Sequence, residues 1–325
     1  MLDYCDICVN PKGLGIVNPA TDQELQFYEG DQGYICEICW EMLFSGKYPS
    51  RQKFDLEFEE FLNSQQRILF AYSGGLDSTV VLAKLIVECQ RRKIELITFT
   101  IETGMKGKVA GENIANVLDH FHLQKNHLTV NITNVLQNDH KIVSAVGSPM
   151  TTFDVYKVCR EKSILPCGKI CNAMVDSVYE DVMQEYGVCE LVTGGDTPKK
   201  NSVGVYSLLW NKPSGITIVR GGFAFGMTKL SNAKFIADNS IPWTHPHCGG
   251  YDTDCLVPGV FFAEQLDHQA EQKAENVIKR FPIILEYLSE RVRFGVIDRD
   301  EGLRMLSRVD IASKDTYQEF IDIVK

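Results

Sequence analysis

One short segment constrains the fold more than any other part of the chain, and it reads Ser73-Gly74-Gly75-Leu76-Asp77-Ser78. An apolar, uncharged run (68–72) precedes it, and apolar residues at helical spacing follow over 79–90. This pattern predicts a buried strand, a tight turn and a helix. Backbone N–H groups in such a turn form a concave anion site, and the helix dipole adds positive potential. Because the Gly-Lys-Ser/Thr of a Walker A loop is missing, the segment predicts a phosphate-binding loop of another type.

Strands and helices alternate after this loop. Further strands are predicted over 94–101, 128–132, 191–193 and 216–219, and helices over 111–121 and 172–186. Sequence from about 260 onward is mostly helical in pattern. Strand–helix–strand alternation implies a parallel sheet that is covered on both faces. We therefore predict a three-layer α/β fold, with the chain divided into residues 1–50, 51–258 and 259–325.

The net charge of -10 and the absence of long apolar runs limit the partners of the chain. A membrane span needs about 18 consecutive apolar residues, and none occurs, so no membrane is expected. The first residues lack the basic and apolar stretches of a signal peptide, which leads us to expect a cytoplasmic location. The acidic balance counts against a large nucleic-acid surface, because phosphate binding usually requires a basic face.

Eleven cysteines are a high number for a chain without a secretory signal, and clustered cysteines are then typical of metal or redox sites. Four of them form two Cys-x-x-Cys pairs near the N-terminus: Cys5, Cys8, Cys36 and Cys39. Two such pairs supply four thiolates, which is the ligand set of a tetrahedral structural zinc site. The sequence therefore predicts a zinc ribbon in the first 50 residues, with Zn²⁺ in an architectural role.

A second group of cysteines lies later in the chain. Cys167 and Cys171 open the helix predicted at 172–186, and Cys248 and Cys255 follow the last predicted strand. Both segments are expected beyond the carboxyl ends of strands, where ligands bind in such sheets. Three thiolates there could hold an iron–sulfur cluster or a second zinc ion, or one could act as a nucleophile. Small buried apolar side chains are the remaining interpretation, and it is preferred for Cys89, Cys159 and Cys189.

The loop resembles that of the PP-loop ATP pyrophosphatases, or adenine nucleotide alpha-hydrolases (the HUP/PP-loop, Rossmann-like fold). These enzymes split ATP between its α and β phosphates and adenylylate a carbonyl oxygen. The resemblance implies that ATP binds with Mg²⁺, that Asp77 faces the metal, and that the adenine lies across the strand residues 99–102. Relatives carry a Gly-His-x-x-Asp-like segment where this chain has Thr193-Gly194-Gly195-Asp196, without the histidine. The implied ATP-binding residues are Ser73, Gly74, Gly75, Asp77, Ser78, Thr100, Gly194, Asp196 and Arg220.

Over roughly residues 1–256, the order of motifs is similar to that of the iron–sulfur-dependent tRNA thiolation enzymes. In that family a Cys-x-x-Cys pair and a later Cys hold a [4Fe–4S] cluster, whose open iron carries sulfide. The resemblance implies Cys167, Cys171 and Cys248 as cluster ligands, with Cys255 as an alternative, and Asp77, Cys171 and Cys248 as catalytic residues. The pair in this chain is Cys-x-x-x-Cys, and the zinc knuckle that such enzymes often carry near the C-terminus is missing.

The function that these resemblances imply is that of an ATP-dependent sulfurtransferase that forms AMP and pyrophosphate. A nucleobase, a tRNA and a small metabolite are all open as acceptors, and a sulfide donor or a sulfur-carrier protein as the sulfur source. The sequence also leaves open whether the chain forms a homodimer.

Two other functions stay open. N-acetyl-sugar amidotransferases resemble this chain at the ribbon and the loop, and they deliver ammonia in place of sulfide. A non-catalytic nucleotide sensor would bind ATP or AMP on the loop and use the cysteines to sense metal or redox state.

Overall fold

The structure is a computed structural model that describes residues 3–18, 21–29, 33–132, 151–167, 169–212, 215–248, 254–265, 274–307 and 312–324. Its strands are β1 (Val17–Asn18), β2 (Gln23–Glu24), β3 (Phe27–Glu29), β4 (Tyr34–Cys36), β5 (Arg67–Ala71), β6 (Glu95–Glu102), β7 (His127–Asn131), β8 (Glu190–Thr193), β9 (Lys199–Lys200), β10 (Tyr206–Ser207), β11 (Leu209–Asn211) and β12 (Thr217–Arg220).

Helices separate the strands from β4 to β8 and make up the described chain after β12. They are α1 (Glu37–Phe44), α2 (Arg51–Ser64), α3 (Leu76–Arg92), α4 (Lys108–His120), α5 (Thr152–Glu161), α6 (Lys169–Tyr186), α7 (Gly221–Ala224), α8 (Lys229–Asp238), α9 (Val257–Gln265), α10 (Ala274–Arg280), α11 (Pro282–Arg293), α12 (Arg299–Ser307) and α13 (Lys314–Val324). A 3-10 helix, Gln124–Asn126, precedes β7.

Six of the described strands form the central sheet, in the order β11-β12-β8-β5-β6-β7. Neighbouring strands are parallel, except that β11 runs antiparallel to β12. The chain leaves β5 on one side toward β6 and β7, and occupies the other side with β8 and β12. A crevice therefore opens at the carboxyl ends of β5 and β8, which is where ligands bind in sheets of this kind.

Helices cover both faces of the sheet. Successive residues of a strand point to opposite faces, and the residues of β5 pack against helices on both. On one face, Ile68 and Phe70 of β5 share an apolar cluster with Val81 of α3. On the other face, Leu69 shares a cluster with Val182 of α6. The apolar run of β5 is thus buried from both sides, and the sheet is the middle one of three layers.

The N-terminal residues form a small unit built from two antiparallel strand pairs, β1–β2 and β3–β4, followed directly by α1. Cys36 ends β4 and is the N-cap residue of α1, so that Cys39 lies in the first turn of that helix. The C-terminal helices pack on this unit: Val9 belongs to one apolar cluster with Leu288 of α11 and Leu306 of α12.

The predicted α/β fold, with its N-terminal cysteine unit and C-terminal helices, is confirmed. Predicted strands coincide with β5, β6, β7, β8 and β12 to within about one residue. The edge strand β11 was not predicted, because it is too short for a periodic pattern. Helix α5 was also missed, although Thr151 and Asp154 form a capping box at its start. The division at residues 50 and 258 stays a prediction.

In the part of the chain that the structure describes, no helix combines the length and the apolar character that crossing a membrane requires.

Candidate active site

The phosphate loop connects the end of β5 to the start of α3, and its two serines close it by hydrogen bonds. Ser73 Oγ accepts a hydrogen bond from the Gly75 N–H at 3.2 Å and contacts Ser78 Oγ at 2.9 Å. Ser78 Oγ donates to the Gly75 carbonyl at 3.0 Å. Because α3 begins at Leu76, its first N–H groups have no helical acceptor and can bind an anion.

The first glycine of the loop is required by its backbone and by its neighbours. Gly74 has a φ of +85°, which a glycine adopts without strain. A Cβ at this position would lie 2.6 Å from Ile114 Cγ1 and 2.9 Å from the Ala110 carbonyl oxygen, both in α4. The Trp243 indole N–H donates to the Gly74 carbonyl at 2.9 Å. The turn is therefore held between α4 and Trp243.

The glycines after β8 bring that strand end against the loop. A Cβ on Gly194 would lie 3.0 Å from the backbone N and Cα of Ser78. A Cβ on Gly195 would lie 2.2 Å from Arg220 Cζ, so the guanidinium packs on bare backbone. Arg220 Nε donates to the Thr197 carbonyl at 2.9 Å. Gly194 and Arg220 thus lie beside the phosphate loop, while their contact with ATP stays a prediction.

Asp77 is paired with protein groups on α8. Its carboxylate forms an ion pair with Lys229 and accepts a hydrogen bond from Asn232 Nδ2 at 2.7 Å. Although burial disfavours the charge of Lys229, the Asp77 carboxylate raises the pKa of this lysine. A lysine therefore supplies the positive charge that was expected from Mg²⁺, and coordination of Mg²⁺ by Asp77 stays a prediction.

Asp196 is almost fully buried, at 3% exposure, and is surrounded by cations. Arg291 Nε donates to its Oδ2 at 3.0 Å, and Lys229 Nζ lies 3.5 Å from the same oxygen. Burial alone would raise the pKa of Asp196, but Arg291, Lys229 and Arg220 hold it below its usual value. Asp196 thus pairs with cations at the edge of the phosphate loop.

The loop and these cations line a cavity of about 970 Å³ at the carboxyl ends of the strands. Its walls include Lys229, Arg220 and Arg291 as well as the rings of Trp243 and Tyr287. Fixed cations beside a helix N-terminus favour bound phosphates. The volume is at the upper end of the range for ligand pockets, so there is room for a nucleotide and for part of an acceptor.

A second cavity, of about 290 Å³, adjoins the first one and is lined by Cys167, Cys171 and Cys255. The Tyr156 hydroxyl, from α5, lies 3.9 Å from Cys171 Sγ. Burial, followed by electrostatic interaction with the neighbouring Cys171 and Cys255, raises the pKa of Tyr156. The two cavities share part of their walls: Ala71, Ser73, Asn172, Val175, Tyr179 and Asp254.

Cys248 lies in the same apolar cluster as Cys167, Cys171 and Cys255, but it is the most buried of the four. It is 2% exposed, and its Sγ lies 2.8 Å from where a Cβ on Gly107 would be. It is not among the residues that line the smaller cavity. Of the two downstream candidates, Cys255 is therefore the one on the same cavity wall as Cys167 and Cys171.

Among the described residues, only the N-terminal cysteines bring three or more ligand atoms within 4.8 Å of one another. Thiolates that bind a cluster are attached to different irons and lie further apart than the ligands of one ion. Cys167, Cys171 and Cys255 offer three thiols to one cavity, a donor set that suits an iron–sulfur cluster, and a cluster there stays a prediction.

Thr100 lies on β6 beside the loop strand, but its hydroxyl is used internally. It is 2% exposed, and Oγ1 donates to the Tyr72 carbonyl at 2.7 Å. The neighbouring residues Phe99 and Ile101 line the smaller cavity instead. An adenine contact along this strand stays a prediction.

The N-terminal cysteines form a compact, fully buried cluster. The Sγ atoms of Cys5, Cys8, Cys36 and Cys39 all lie within 4.8 Å of one another. A tetrahedral site with Zn–S bonds of about 2.3 Å separates its sulfurs by about 3.8 Å, and Cys8 and Cys36 are 3.7 Å apart. The four residues therefore fit a tetrahedral metal ion, and we call them the four-cysteine site.

Donors around the four-cysteine site favour thiolates. Asn10 Nδ2 donates to Cys36 Sγ at 3.4 Å, and Arg293 Nε donates to Cys39 Sγ at 3.3 Å. Burial opposes the charge of Arg293, but the thiolates raise its pKa. The identity of the metal as zinc stays a prediction.

Sequence analysis missed several residues of the site. Lys229 and Trp243 contact the loop, and Arg291 contacts Asp196 beside it. All three come from distant parts of the chain, so no local spacing connects them with the loop. Asp254 was not predicted either, although it directly precedes Cys255 and lines both cavities. Its position next to a candidate ligand was the one available indication.

No protein-family model matches the chain. The uncharacterized protein MJ1599 of Methanocaldococcus jannaschii is 24% identical over 323 residues, which cover 97% of this chain and 96% of that protein. Among solved structures, the chain is similar to the U34-tRNA thiolase NcsA from Methanococcus maripaludis with its [4Fe–4S] cluster. The TM-score is 0.43 at 14% identity, and the match covers 97% of this chain and 91% of the thiolase.

A second similar structure is the NH₃-dependent NAD synthetase from Campylobacter jejuni, with a TM-score of 0.34 at 11% identity. The match covers 79% of this chain and 96% of the synthetase. The predicted resemblance to N-acetyl-sugar amidotransferases stays a prediction. At these values, the similarities identify neither a substrate nor a reaction for this chain.

Proposed function

We propose that this chain is an ATP-dependent sulfurtransferase that forms AMP and pyrophosphate and replaces a carbonyl oxygen by sulfur. The observation that carries the proposal is the common wall of the two cavities: the phosphate loop and the Cys167, Cys171 and Cys255 side chains border adjoining spaces. An acceptor activated at the loop would reach the cysteines without leaving the protein.

In the first step, the loop would hold the phosphates of ATP·Mg²⁺. The first N–H groups of α3 and the Arg220 side chain would bind the negative charge that increases on the leaving pyrophosphate. The acceptor's carbonyl oxygen attacks the α phosphorus, an O–P bond forms, and the bond to pyrophosphate breaks. The product is an acceptor that carries AMP on its oxygen.

In the second step, a sulfide bonds to the activated carbon, and AMP leaves with the electron pair of the C–O bond. No oxidant or reductant is needed, because sulfide and oxide are exchanged. A [4Fe–4S] cluster bound by Cys167, Cys171 and Cys255 would supply an iron with an open position for that sulfide. Asp254 and Asn172 line both cavities and would orient the acceptor between them.

The acceptor is expected to be a nucleobase, free or in a tRNA, or a small metabolite with an activatable carbonyl. The net charge of -10 favours a small acceptor over a large nucleic acid. The sulfur source would be sulfide or a sulfur-carrier protein, and the proposed location is the cytoplasm.

The proposal is tested on protein purified without oxygen, by measuring iron, sulfide and zinc content and then pyrophosphate release with candidate acceptors. Iron and sulfide in the protein, and sulfur in the product by mass spectrometry, are the expected results. Zinc alone, with acceptor-dependent pyrophosphate release and a product in which nitrogen from ammonia replaces the oxygen, would identify an amidotransferase instead. ATP binding without pyrophosphate release for any acceptor would identify a nucleotide sensor.

A further inference from the structure

Helix α11 joins the four-cysteine site to the ATP cavity through side chains on two of its faces. Residues two apart on an α-helix are related by a rotation of about 200° around the helix axis. Arg291 and Arg293 therefore extend in nearly opposite directions. Arg291 reaches Asp196 at 3.0 Å, and Arg293 reaches Cys39 Sγ at 3.3 Å and Cys8 Sγ at 3.9 Å.

The face of α11 toward the cavity carries Tyr287, Glu290 and Arg291. The Arg291 guanidinium lies over the Tyr287 ring at 3.3 Å, and its side chain is only 14% exposed. Glu290 pairs with Lys199 at 2.7 Å. A stacked, ion-paired arginine keeps one orientation, which is what a phosphate-binding guanidinium needs.

The face of α11 toward the ribbon has a second connection besides Arg293. The buried Ser289 hydroxyl donates to Asn10 Oδ1 at 2.7 Å, and Asn10 Nδ2 donates to Cys36 Sγ at 3.4 Å. Both connections end on sulfurs of the four-cysteine site. The position of α11 therefore depends on where those sulfurs are held.

We propose that Arg291 binds the β and γ phosphates of ATP, and that Arg293 is the positioning residue that sets Arg291 by resting on the thiolates of the four-cysteine site. This inference rests on the proposed use of ATP, and it assigns the four-cysteine site a role in ATP affinity beyond folding. Lys229 and Arg220 face Asp77 and Asp196 from α8 and β12, and Arg291 of α11 adds a third cation beside Asp196.

The test is the affinity for an ATP analogue with a methylene group between the α and β phosphates, measured by calorimetry, with zinc content and thermal unfolding for each variant. Arg291→Gln is expected to weaken binding about tenfold or more, because a charge-assisted contact is lost. Arg293→Gln is expected to retain zinc and to weaken binding about three- to tenfold. In the double variant, Arg293→Gln is expected to add nothing to the loss caused by Arg291→Gln.

Arg92→Gln is the matched control, because Arg92 is also a mostly buried, ion-paired arginine and lies at the far end of α3 from the loop. It is expected to bind the analogue like the wild type. The positioning role would be overturned if the Arg293→Gln variant retained zinc and bound the analogue with wild-type affinity. It would also be overturned if the losses in affinity of the two single variants added up in the double variant.

Two further outcomes of this experiment have a clear meaning. If Arg293→Gln loses zinc or unfolds, Ser289→Ala provides the measurement, since it removes the other connection; unchanged affinity there contradicts the coupling. Wild-type protein that does not bind the analogue at all would contradict the proposed function itself. Normal wild-type binding with unaffected variants would reject only the role of Arg291 and Arg293.

Discussion

Arg291 and Arg293 lie two residues apart on α11, and one contacts the carboxylate of Asp196 while the other contacts the sulfur of Cys39. Through this pair, a helix near the C-terminus connects the four-cysteine site with the cavity at the carboxyl ends of the strands. Val9, between the ribbon cysteines and the helices, shares an apolar cluster with Leu288 of α11. The ribbon therefore contributes to the core of the C-terminal helices.

Loss of the metal from the four-cysteine site is expected to destabilise the C-terminal helices together with the ribbon. Cys39→Ala should remove the metal and lower the free energy of unfolding by roughly 3 kcal/mol or more, because a structural metal contributes directly to folding. Metal content, thermal unfolding and limited proteolysis check this. Cys189→Ala, at an exposed cysteine, is the control and should change none of them. Cleavage confined to the ribbon would show that the two parts are independent.

Contact between Gly194 and the start of α3 is expected to be necessary for the shape of the phosphate loop. In Gly194→Ala the new methyl group would lie 3.0 Å from backbone atoms of Ser78, which can only move with the helix. We expect a loss of about 1–3 kcal/mol in stability and weaker ATP binding, measured by denaturant unfolding and calorimetry. Gly111→Ala is the control, because an added Cβ there meets nothing within 4 Å. It should stabilise α4 by up to about 1 kcal/mol. Equal effects of the two substitutions would contradict the steric argument.

A histidine on β7 is expected to make stability depend on pH. Burial lowers the pKa of His127 to about 4, and its Nδ1 contacts Thr98 Oγ1 at 2.9 Å. Between its unfolded value of about 6.5 and that folded value, the unfolded chain binds a proton that the native protein does not. Stability should therefore fall as the pH drops through this window, by about 1–2 kcal/mol after allowance for solvent screening.

Denaturant unfolding at several pH values between 7 and 4 checks this expectation. In His127→Gln the decrease over the window should be smaller by that amount, since no titrating group is left at the site. His120→Gln, at an exposed histidine, is expected to keep the wild-type slope. An unchanged slope in His127→Gln would mean that other groups cause the pH dependence.

The two downstream cysteines are expected to differ in their effect on the iron content. Because Cys255 lines the cavity with Cys167 and Cys171, Cys255→Ala should reduce iron and sulfide to background in protein purified without oxygen. Cys248→Ala should retain both and lose about 1 kcal/mol of stability, because its side chain is buried. If Cys248→Ala lost iron and sulfide while Cys255→Ala kept them, the ligands would be Cys167, Cys171 and Cys248, as the sequence resemblance implies.

Local patterns predicted the part of the site that local backbone geometry builds. A strand followed by Gly-Gly and a helix start can be recognised from a few consecutive residues. Arg220 could be predicted because the carboxyl ends of parallel strands lie at one edge of a sheet. Lys229 and Arg291 could not, since they pair with Asp77 and Asp196 across 152 and 95 residues of sequence. That Cys255 lines the cavity with Cys167 and Cys171 also depends on packing, which spacing alone does not encode.

Lys229 is expected to act as the counter-charge of Asp77 until Mg²⁺ arrives with ATP. In Lys229→Gln, Asp77 keeps only the Asn232 amide and faces the phosphates with its charge uncompensated. ATP affinity should fall about tenfold or more at low Mg²⁺ and recover in part as Mg²⁺ is raised, because the metal can take the place of the ammonium group. Calorimetric titrations at two Mg²⁺ concentrations measure this. Lys234→Gln, on the same helix and exposed, should bind ATP normally at both. A loss in Lys229→Gln that Mg²⁺ does not reduce would show that the lysine contacts the phosphates directly.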